Sequence, residues 1–255
     1  MLIVVDIGNS NIVIGLYKGP TLKDHVRMAS RHSLTADEAG FFICGFLSQM
    51  NIANEQIESA VIGSVVPPLT SVFETTVKRY LGCIPVVVSA RIDLPVRIDI
   101  DNPDEAGADR IANAVAGFAK FGGPIVIVDF GTATTFDVVN AEGTYVGGVI
   151  APGPETGMLE LVRRAARLFE VRIEKPDAVI GRSTAGALKS GLFYGTVGQV
   201  DFILDRILEE KGFSEATIVA TGGLASGIEK QSRHTKLIEP TLTLEGLRLI
   251  GEYAS

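Results

Sequence analysis

Val4-Val5-Asp6-Ile7-Gly8, close to the start of the chain, returns near its middle as Ile127-Val128-Asp129-Phe130-Gly131. In both copies an apolar run with the β-branched content of a buried strand ends on Asp-x-Gly and breaks into a small polar turn. The first turn is Gly8-Asn9-Ser10, followed by a returning strand rich in Ile and Val. The second is threonine-rich, Gly131-Thr132-Ala133-Thr134-Thr135, with a returning strand expected over 136–139. Each hairpin opens a series of strands followed by helices, so the chain reads as two related α/β units. No Pro- or Ser-rich linker separates them, which places the boundary at Gly122-Gly123 and gives units 1–122 and 123–255. Such units are expected to share an extensive contact, with the ligand cleft between them.

Working outward from the first hairpin, Thr35-Ala36-Asp37-Glu38 has the spacing of a capping box, and the apolar residues after it carry a helix to about Gln49. A short strand over 59–63 precedes a helix opened by Pro67-Pro68 and closed near Gly82. A strand over 84–88 and an extended segment lead to Asn102-Pro103, where the proline disfavours helix at the residue before it. A helix is then expected over 104–121, with Ile111, Val115 and Phe118 on its apolar face. After the second hairpin come a strand over 145–150, helices over 155–168 and 184–211, and a strand over 218–220 that turns at Thr221-Gly222-Gly223. A helix over 242–253 closes the chain.

The charge balance narrows the partners. With 23 basic against 30 acidic residues the net charge is −7, and a polyanion such as nucleic acid or an anionic membrane is repelled. The densest basic run, Arg163, Arg164 and Arg167, has the spacing of a solvated helix face. The apolar start is interrupted at once by Asp6, and no stretch approaches the ~18 uncharged residues of a membrane span, so a cytoplasmic protein is expected. Cys44 and Cys83 lack metal-ligand spacing and read as buried free thiols; His25, His32 and His234 are scattered.

The turns carry the chemistry. A carboxylate at the end of a buried strand, followed by a glycine turn with small polar residues, offers an anchor for a hydrated cation and donors for phosphate oxygens. Asp6 with Gly8, Asn9 and Ser10 fits that need, and Asp129 with Gly131, Thr132, Thr134 and Thr135 repeats it. A third glycine element, Ala220-Thr221-Gly222-Gly223-Leu224-Ala225-Ser226-Gly227, follows a strand and opens a helix, where backbone N–H groups can meet a nucleotide. Asp109 lies in Gly107-Ala108-Asp109-Arg110, with Asn113 one turn on; a carboxylate so placed can take the proton of an attacking hydroxyl while the arginine holds an anionic group. The chain has no G-x-x-x-x-G-K-[ST] loop, no ordered protein-kinase motif series and no G-x-G-x-x-G after its first strand.

In this order and spacing, DIGNSN (6–11), NPDEAGADRIAN (102–113), DFGTATTFD (129–137), GGVIAPG (147–153) and ATGGLASG (220–227) resemble the motif series of the type III pantothenate kinases over nearly the whole chain. The resemblance implies a duplicated ribonuclease-H-like, actin-like ATPase fold: two mixed sheets flanked by helices, with a nucleotide cleft between them. It implies ATP-dependent phosphorylation of pantothenate to 4'-phosphopantothenate, Mg²⁺ and a monovalent cation, K⁺ or NH₄⁺, as cofactors, and a homodimer.

By the same resemblance Asp6, Ile7, Gly8, Asn9, Ser10, Asn11, Ile12 and Val13 form the first phosphate loop, with Asp6 near Mg²⁺. Thr132, Gly222 and Gly223 contact the nucleotide, and Asp129 binds the monovalent cation. Asp109 is the proton acceptor, and Gly107, Ala108, Arg110 and Thr184 line the pantothenate site. Ile100, two residues before Asn102-Pro103, stands where the family commonly carries tyrosine, which removes a hydroxyl and an aromatic wall from that site. A kinase of another small hydroxylated metabolite and a noncatalytic regulatory relative are the alternative readings.

Overall fold

The computed structural model describes residues 1–254. Along the chain come β1 (Leu2–Ile7), β2 (Asn11–Lys18), β3 (Thr21–Ala29), α1 (Ala36–Gln49), β4 (Ser59–Ser64), α2 (Pro67–Thr76), β5 (Val86–Val87), β6 (Arg97–Ile98) and α3 (Ala108–Phe121). They are followed by β7 (Ile125–Phe130), β8 (Ala133–Val139), β9 (Thr144–Pro152), α4 (Pro154–Arg164) and α5 (Thr184–Leu208). The last elements are β10 (Thr217–Gly222), α6 (Ala225–Ile228), β11 (Leu237–Ile238) and α7 (Leu242–Tyr253). No helix among the described residues is long and apolar enough to cross a membrane.

The chain divides into two units: Met1–Ala119 together with the closing segment from Leu242, and Lys120–Thr241. In the first, the strand order is β3-β2-β1-β4-β5. β1 pairs antiparallel with β2 and parallel with β4, β2 pairs antiparallel with β3, and β4 pairs parallel with β5. The central strand is apolar from Leu2 to Val5 because both of its faces are covered. Ile3, Val5 and Ile7 point into a core built with Ile43 and Leu47 of α1 and with Leu69 and Phe73 of α2. Val4 points the other way, into a core with Ile111 and Val115 of α3 and with Leu244, Leu247 and Ile250 of α7. Asp6 has the parity of Val4 and so belongs to the α3 and α7 face.

The second unit repeats this plan strand for strand, with β9-β8-β7-β10-β11 in that order. β7 is antiparallel to β8 and parallel to β10, β8 is antiparallel to β9, and β10 is parallel to β11. Val126, Val128 and Phe130 of β7 pack with Phe193, Val197, Val200 and Leu204 of α5. Asp129 has the opposite parity and faces away from α5. The repeated Asp-x-Gly hairpins are therefore β1–β2 and β7–β8, equivalent strands of the two units.

Several expectations are corrected. The closing helix does not belong to a unit 123–255: α7 returns to the first sheet, and the division falls at Ala119/Lys120 in the last turn of α3. Its leucines cover the Val4 and Val61 face, and Gly246 lets it approach α3 so closely that a Cβ there would meet Ala112 O at 1.9 Å. The helix expected from 104 begins at Ala108, after a separate 3-10 turn over Pro103–Glu105.

The expected helix 155–168 stops at Arg164, and the chain turns back so that Val171 N donates to Met158 Sδ at 3.4 Å. The expected 184–211 helix ends at Leu208, ahead of Gly212 at φ +96°. Strand β3, with its outward Lys23, Asp24 and Arg27, was not anticipated; it is an edge strand whose charges hide the period of a buried one. Cys44 and Cys83 are unpaired, as expected, but only partly buried.

Candidate active site

In the first unit the candidate residues gather at the carboxyl ends of the parallel strands. Asp6 is the penultimate residue of β1, flanked by Val13 on β2 and Gly63 on β4. Gly8 N donates to Asn11 O at 3.0 Å and closes the turn, leaving Asn9, Ser10 and Asn11 exposed. Ile7 and Ile12 are fully buried in the α1 and α2 core, so only their main chain remains for a ligand; the expected loop 6–13 is polar only at its tip.

One strand over, Val65 N donates to Ile7 O at 3.1 Å, which brings the end of β4 beside the end of β1. The Val65 side chain in turn lies against Gly107, where a Cβ would meet its Cγ1 at 3.4 Å. Asp109 follows in the first turn of α3, where the partial positive charge of the helix N-terminus favours a carboxylate.

Asp109 is partly buried, and its carboxylate rests against Gly107: a Cβ on that glycine would lie 2.5 Å from Oδ1. The same oxygen accepts the Arg110 backbone N–H at 2.8 Å. Burial pushes the Asp109 carboxyl above the usual aspartate range, and the Arg110 N–H and guanidinium offset this only in part. A carboxylate raised in this way is a stronger proton acceptor than an exposed one. Ala108 is buried beneath it, and Asn113, one turn on, is fully buried, with Thr243 Oγ1 of α7 donating to its Oδ1 at 2.8 Å. Ile100 lies partly buried in the segment between β6 and the 3-10 turn.

In the second unit Asp129 occupies the position on β7 that Asp6 holds on β1, paired with Thr135 on β8 and Thr221 on β10. Gly222 packs directly on it. At φ +89° a Cβ there would lie 2.6 Å from Asp129 Oδ1 and 2.6 Å from the Phe130 carbonyl oxygen. The missing side chain lets the Gly222 backbone close on the Asp129 carboxylate and on the Phe130 peptide, whose N also lies 2.6 Å from that position. A carboxylate and a carbonyl are hard oxygen donors of the kind a group 1 or group 2 cation takes, and among the described residues no three His, Cys, Asp or Glu cluster to hold a metal ion.

Thr132 is exposed, and its carbonyl accepts Gly153 N at 3.1 Å and Thr156 Oγ1 at 2.7 Å, which locks the turn to the start of α4. The four threonine-loop residues do not form one surface. Thr134 is fully buried with an unpartnered Oγ1, on the face of Phe136, and Thr135 Oγ1 donates to Asp137 Oδ2 at 3.3 Å. Asp137 is itself fully buried and accepts Tyr145 OH at 3.3 Å. Thr184 is the exposed first residue of α5, just after Ser183, whose Oγ caps the helix by accepting Gly186 N at 3.1 Å.

A cavity of about 800 Å³ opens beside the third glycine turn, entirely within this unit. Gly223, Ser226, Gly227 and Lys230 form one side; Met158, Phe193 and the irregular strap Glu170–Lys175 form others. No periodicity or motif marks that strap in the sequence; only the Gly223–Gly227 edge of the wall, part of the third glycine element, is legible there.

Residues 2–206 match the family model described as type III pantothenate kinase. The chain is 45% identical over 252 residues to a type III pantothenate kinase of Geobacter sulfurreducens, covering 99% of this chain and 98% of that one. It is 43% identical to that of Exiguobacterium sp. strain AT1b over 252 residues, again 99% and 98% of the two chains. Among solved structures it is similar in fold to component A of (R)-2-hydroxyglutaryl-CoA dehydratase from Acidaminococcus fermentans, with a TM-score of 0.54 at 13% identity over 99% and 96% of the chains. The ethanolamine utilization protein EutJ from Carboxydothermus hydrogenoformans gives 0.53 at 11% identity over 98% and 89%. These likenesses concern the fold alone, the duplicated actin-like ATPase architecture.

Proposed function

The chain belongs to the type III pantothenate kinase family, and from that premise we propose which of its residues carry the reaction. It phosphorylates pantothenate with ATP to 4'-phosphopantothenate, the first step of coenzyme A biosynthesis. Asp109 is the general base. It takes the proton of the terminal hydroxyl as that oxygen bonds to the γ-phosphorus, while the bond from phosphorus to the β,γ-bridging oxygen breaks and ADP departs. The observation that carries this assignment is the partly buried Asp109 carboxyl, raised above its ordinary range and seated on Gly107. Arg110 holds the pantothenate carboxylate, with Gly107, Ala108, Ile100 and Thr184 as further substrate contacts.

Asn9, Ser10 and Asn11 donate to phosphate oxygens, and Asp6 would hold Mg²⁺. Asp129, with the Phe130 carbonyl beside it, would hold the monovalent cation. Bound there, these cations supply positive charge that offsets the charge on the phosphates. The cavity beside Gly223 receives the nucleoside end of ATP, lined by apolar residues such as Met158, Phe193 and Ile228 together with Ser226 and Lys230. A homodimer is supported by exposed apolar side chains on the second unit, Ile150, Leu159, Phe169 and Ile180 among them. A cytoplasmic setting suits the two unpaired thiols.

The deciding experiment is a phosphorylation assay with and without K⁺, offering pantothenate and a panel of sugars, with the product identified by mass. Phosphopantothenate formed only with the monovalent ion supports the whole reading. Phosphorylation of a sugar but not pantothenate would transfer the activity to the alternative that Ile100 motivates. No ADP release with either would leave the noncatalytic regulatory relative.

A further inference from the structure

The wall of the cavity beside Gly223 rests on a single turn of helix. α6, Ala225–Ile228, has no side-chain cap, and Ala225 and Ile228 pack into the core of the unit, each 1% exposed. The segment that follows is held to α5 by a separate set of contacts. Ser232 Oγ donates to Asp201 Oδ1 at 2.6 Å, the Arg233 backbone N–H reaches both Asp201 oxygens at 3.1 Å, and Arg233 Nε lies 3.3 Å from Oδ2. Ser232 Oγ in turn accepts the backbone N–H of Thr235 at 3.0 Å and of His234 at 3.2 Å. One helical turn further along α5, Asp205 takes Arg233 at 2.7 Å and the His234 ring at 2.8 Å.

Asp201 is therefore a carboxylate only 6% exposed, on a long helix, whose oxygens are spent gathering a loop rather than pairing within its own helix. Burying a carboxylate is costly, and this one is offset by at least three donors that all come from residues 232 and 233. The same helix supplies Phe193 to the cavity, and the anchored segment begins immediately after the lining residues Lys230 and Gln231.

We infer that Asp201 is a positioning residue for ATP: by holding Ser232 and Arg233 to α5 it sets the distance between the α6 wall and Phe193, and so the width of the nucleotide cavity. The inference rests on the reading of that cavity as the nucleoside site. It concerns nucleotide affinity and not the chemical step, since Asp201 does not line the cavity.

The test compares two variants of the full-length enzyme by steady-state kinetics and thermal melting. Asp201→Asn replaces an all-acceptor group by one whose amide N–H₂ opposes the gathered donors. It is expected to raise KM for ATP about tenfold, the scale of one charge-assisted hydrogen bond, with kcat and KM for pantothenate within twofold of the parent. Gly227→Phe is the control for the cavity itself: a Cβ at Gly227 meets nothing within 4 Å, so the ring enters the cavity without a backbone clash, and KM for ATP is expected to rise at least as much.

A rise in KM for ATP with Gly227→Phe but none with Asp201→Asn overturns the positioning role and spares the cavity reading. No change with Gly227→Phe removes the cavity as the nucleotide site, and the inference with it. A fall in kcat equal to the rise in KM in Asp201→Asn also overturns it, because a wall residue acts on affinity. Should Asp201→Asn not fold, Ser232→Ala, which deletes one donor and leaves the carboxylate to Arg233, decides by the same split between KM and kcat.

Discussion

A methyl group on Gly107 would lie 2.5 Å from the Asp109 carboxylate, with only ordinary contact to Val65 beyond it. The clash falls on the movable end of a side chain. Gly107→Ala is therefore expected to fold with an unchanged melting temperature while turnover falls at least tenfold, because the carboxylate leaves its seat. A loss of turnover matched by a loss of stability would mean the glycine is needed only for packing.

Asp109→Asn is expected to cut turnover by about 10²–10⁴-fold. Its stability consequence has the opposite sign: folding raises the Asp109 pKa, so the charged carboxylate opposes folding at neutral pH, and that cost disappears once pH drops below the unfolded-state value. The variant should melt at or above the parent temperature at pH 7, and a lower melting temperature would contradict the burial argument. The acid limb of kcat/KM should likewise sit above that of an ordinary aspartate and vanish in the variant, which a pH–rate profile reads directly. For Asp129→Ala the expected outcome is loss of K⁺ activation, with turnover in K⁺ no higher than that of the parent without it; an unchanged K⁺ response would detach Asp129 from the cation.

Among the elements, α3 and α7 meet backbone to backbone. Gly246 has no room for a Cβ, which would stand 1.9 Å from Ala112 O and 2.5 Å from its carbonyl carbon. Because the obstacle is main chain, Gly246→Ala must separate the helices, at a cost of about 3 kcal/mol or roughly 6–12 °C in Tm. A melting temperature within 2 °C of the parent, on the same scale, would show that the helix pair adjusts freely.

The elements legible in the sequence were those whose signals are local. The capping box at Thr35 is present, with Glu38 N donating to Thr35 Oγ1 at 3.2 Å and Thr35 N donating to Glu38 Oε2 at 2.9 Å. The Pro67-Pro68 start of α2 is also present. Residues 165–168 carry a helical local pattern, yet α4 ends at Arg164 and the chain turns back so that Val171 N meets Met158 Sδ.

At the scale of the molecule, the first sheet depends on the last residues of the chain. Leu244, Leu247 and Ile250 are at most 4% exposed against Val4, Val61 and α3. At about 2 kcal/mol for each buried side chain, their loss removes ~6 kcal/mol from a fold whose total margin is about 5–15 kcal/mol. A chain ending at Thr241 is expected to lose the cooperative melting of the first unit, followed by circular dichroism. A truncated chain that still melts in a sharp transition at the parent temperature would show that α7 is dispensable.

The sequence by itself determined the duplication, the strand-end carboxylates and the GADR turn, since apolar runs, Asp-x-Gly turns and glycine spacing are properties of neighbouring residues. Tertiary structure decided the rest. It returned α7 to the first sheet, buried Thr134, Ile7 and Ile12 within loops that looked uniformly available, and tied Ser232 and Arg233 to Asp201 across some thirty positions of chain. Those outcomes depend on which apolar face lacks cover and which buried carboxylate lacks donors, and a linear pattern does not contain either quantity.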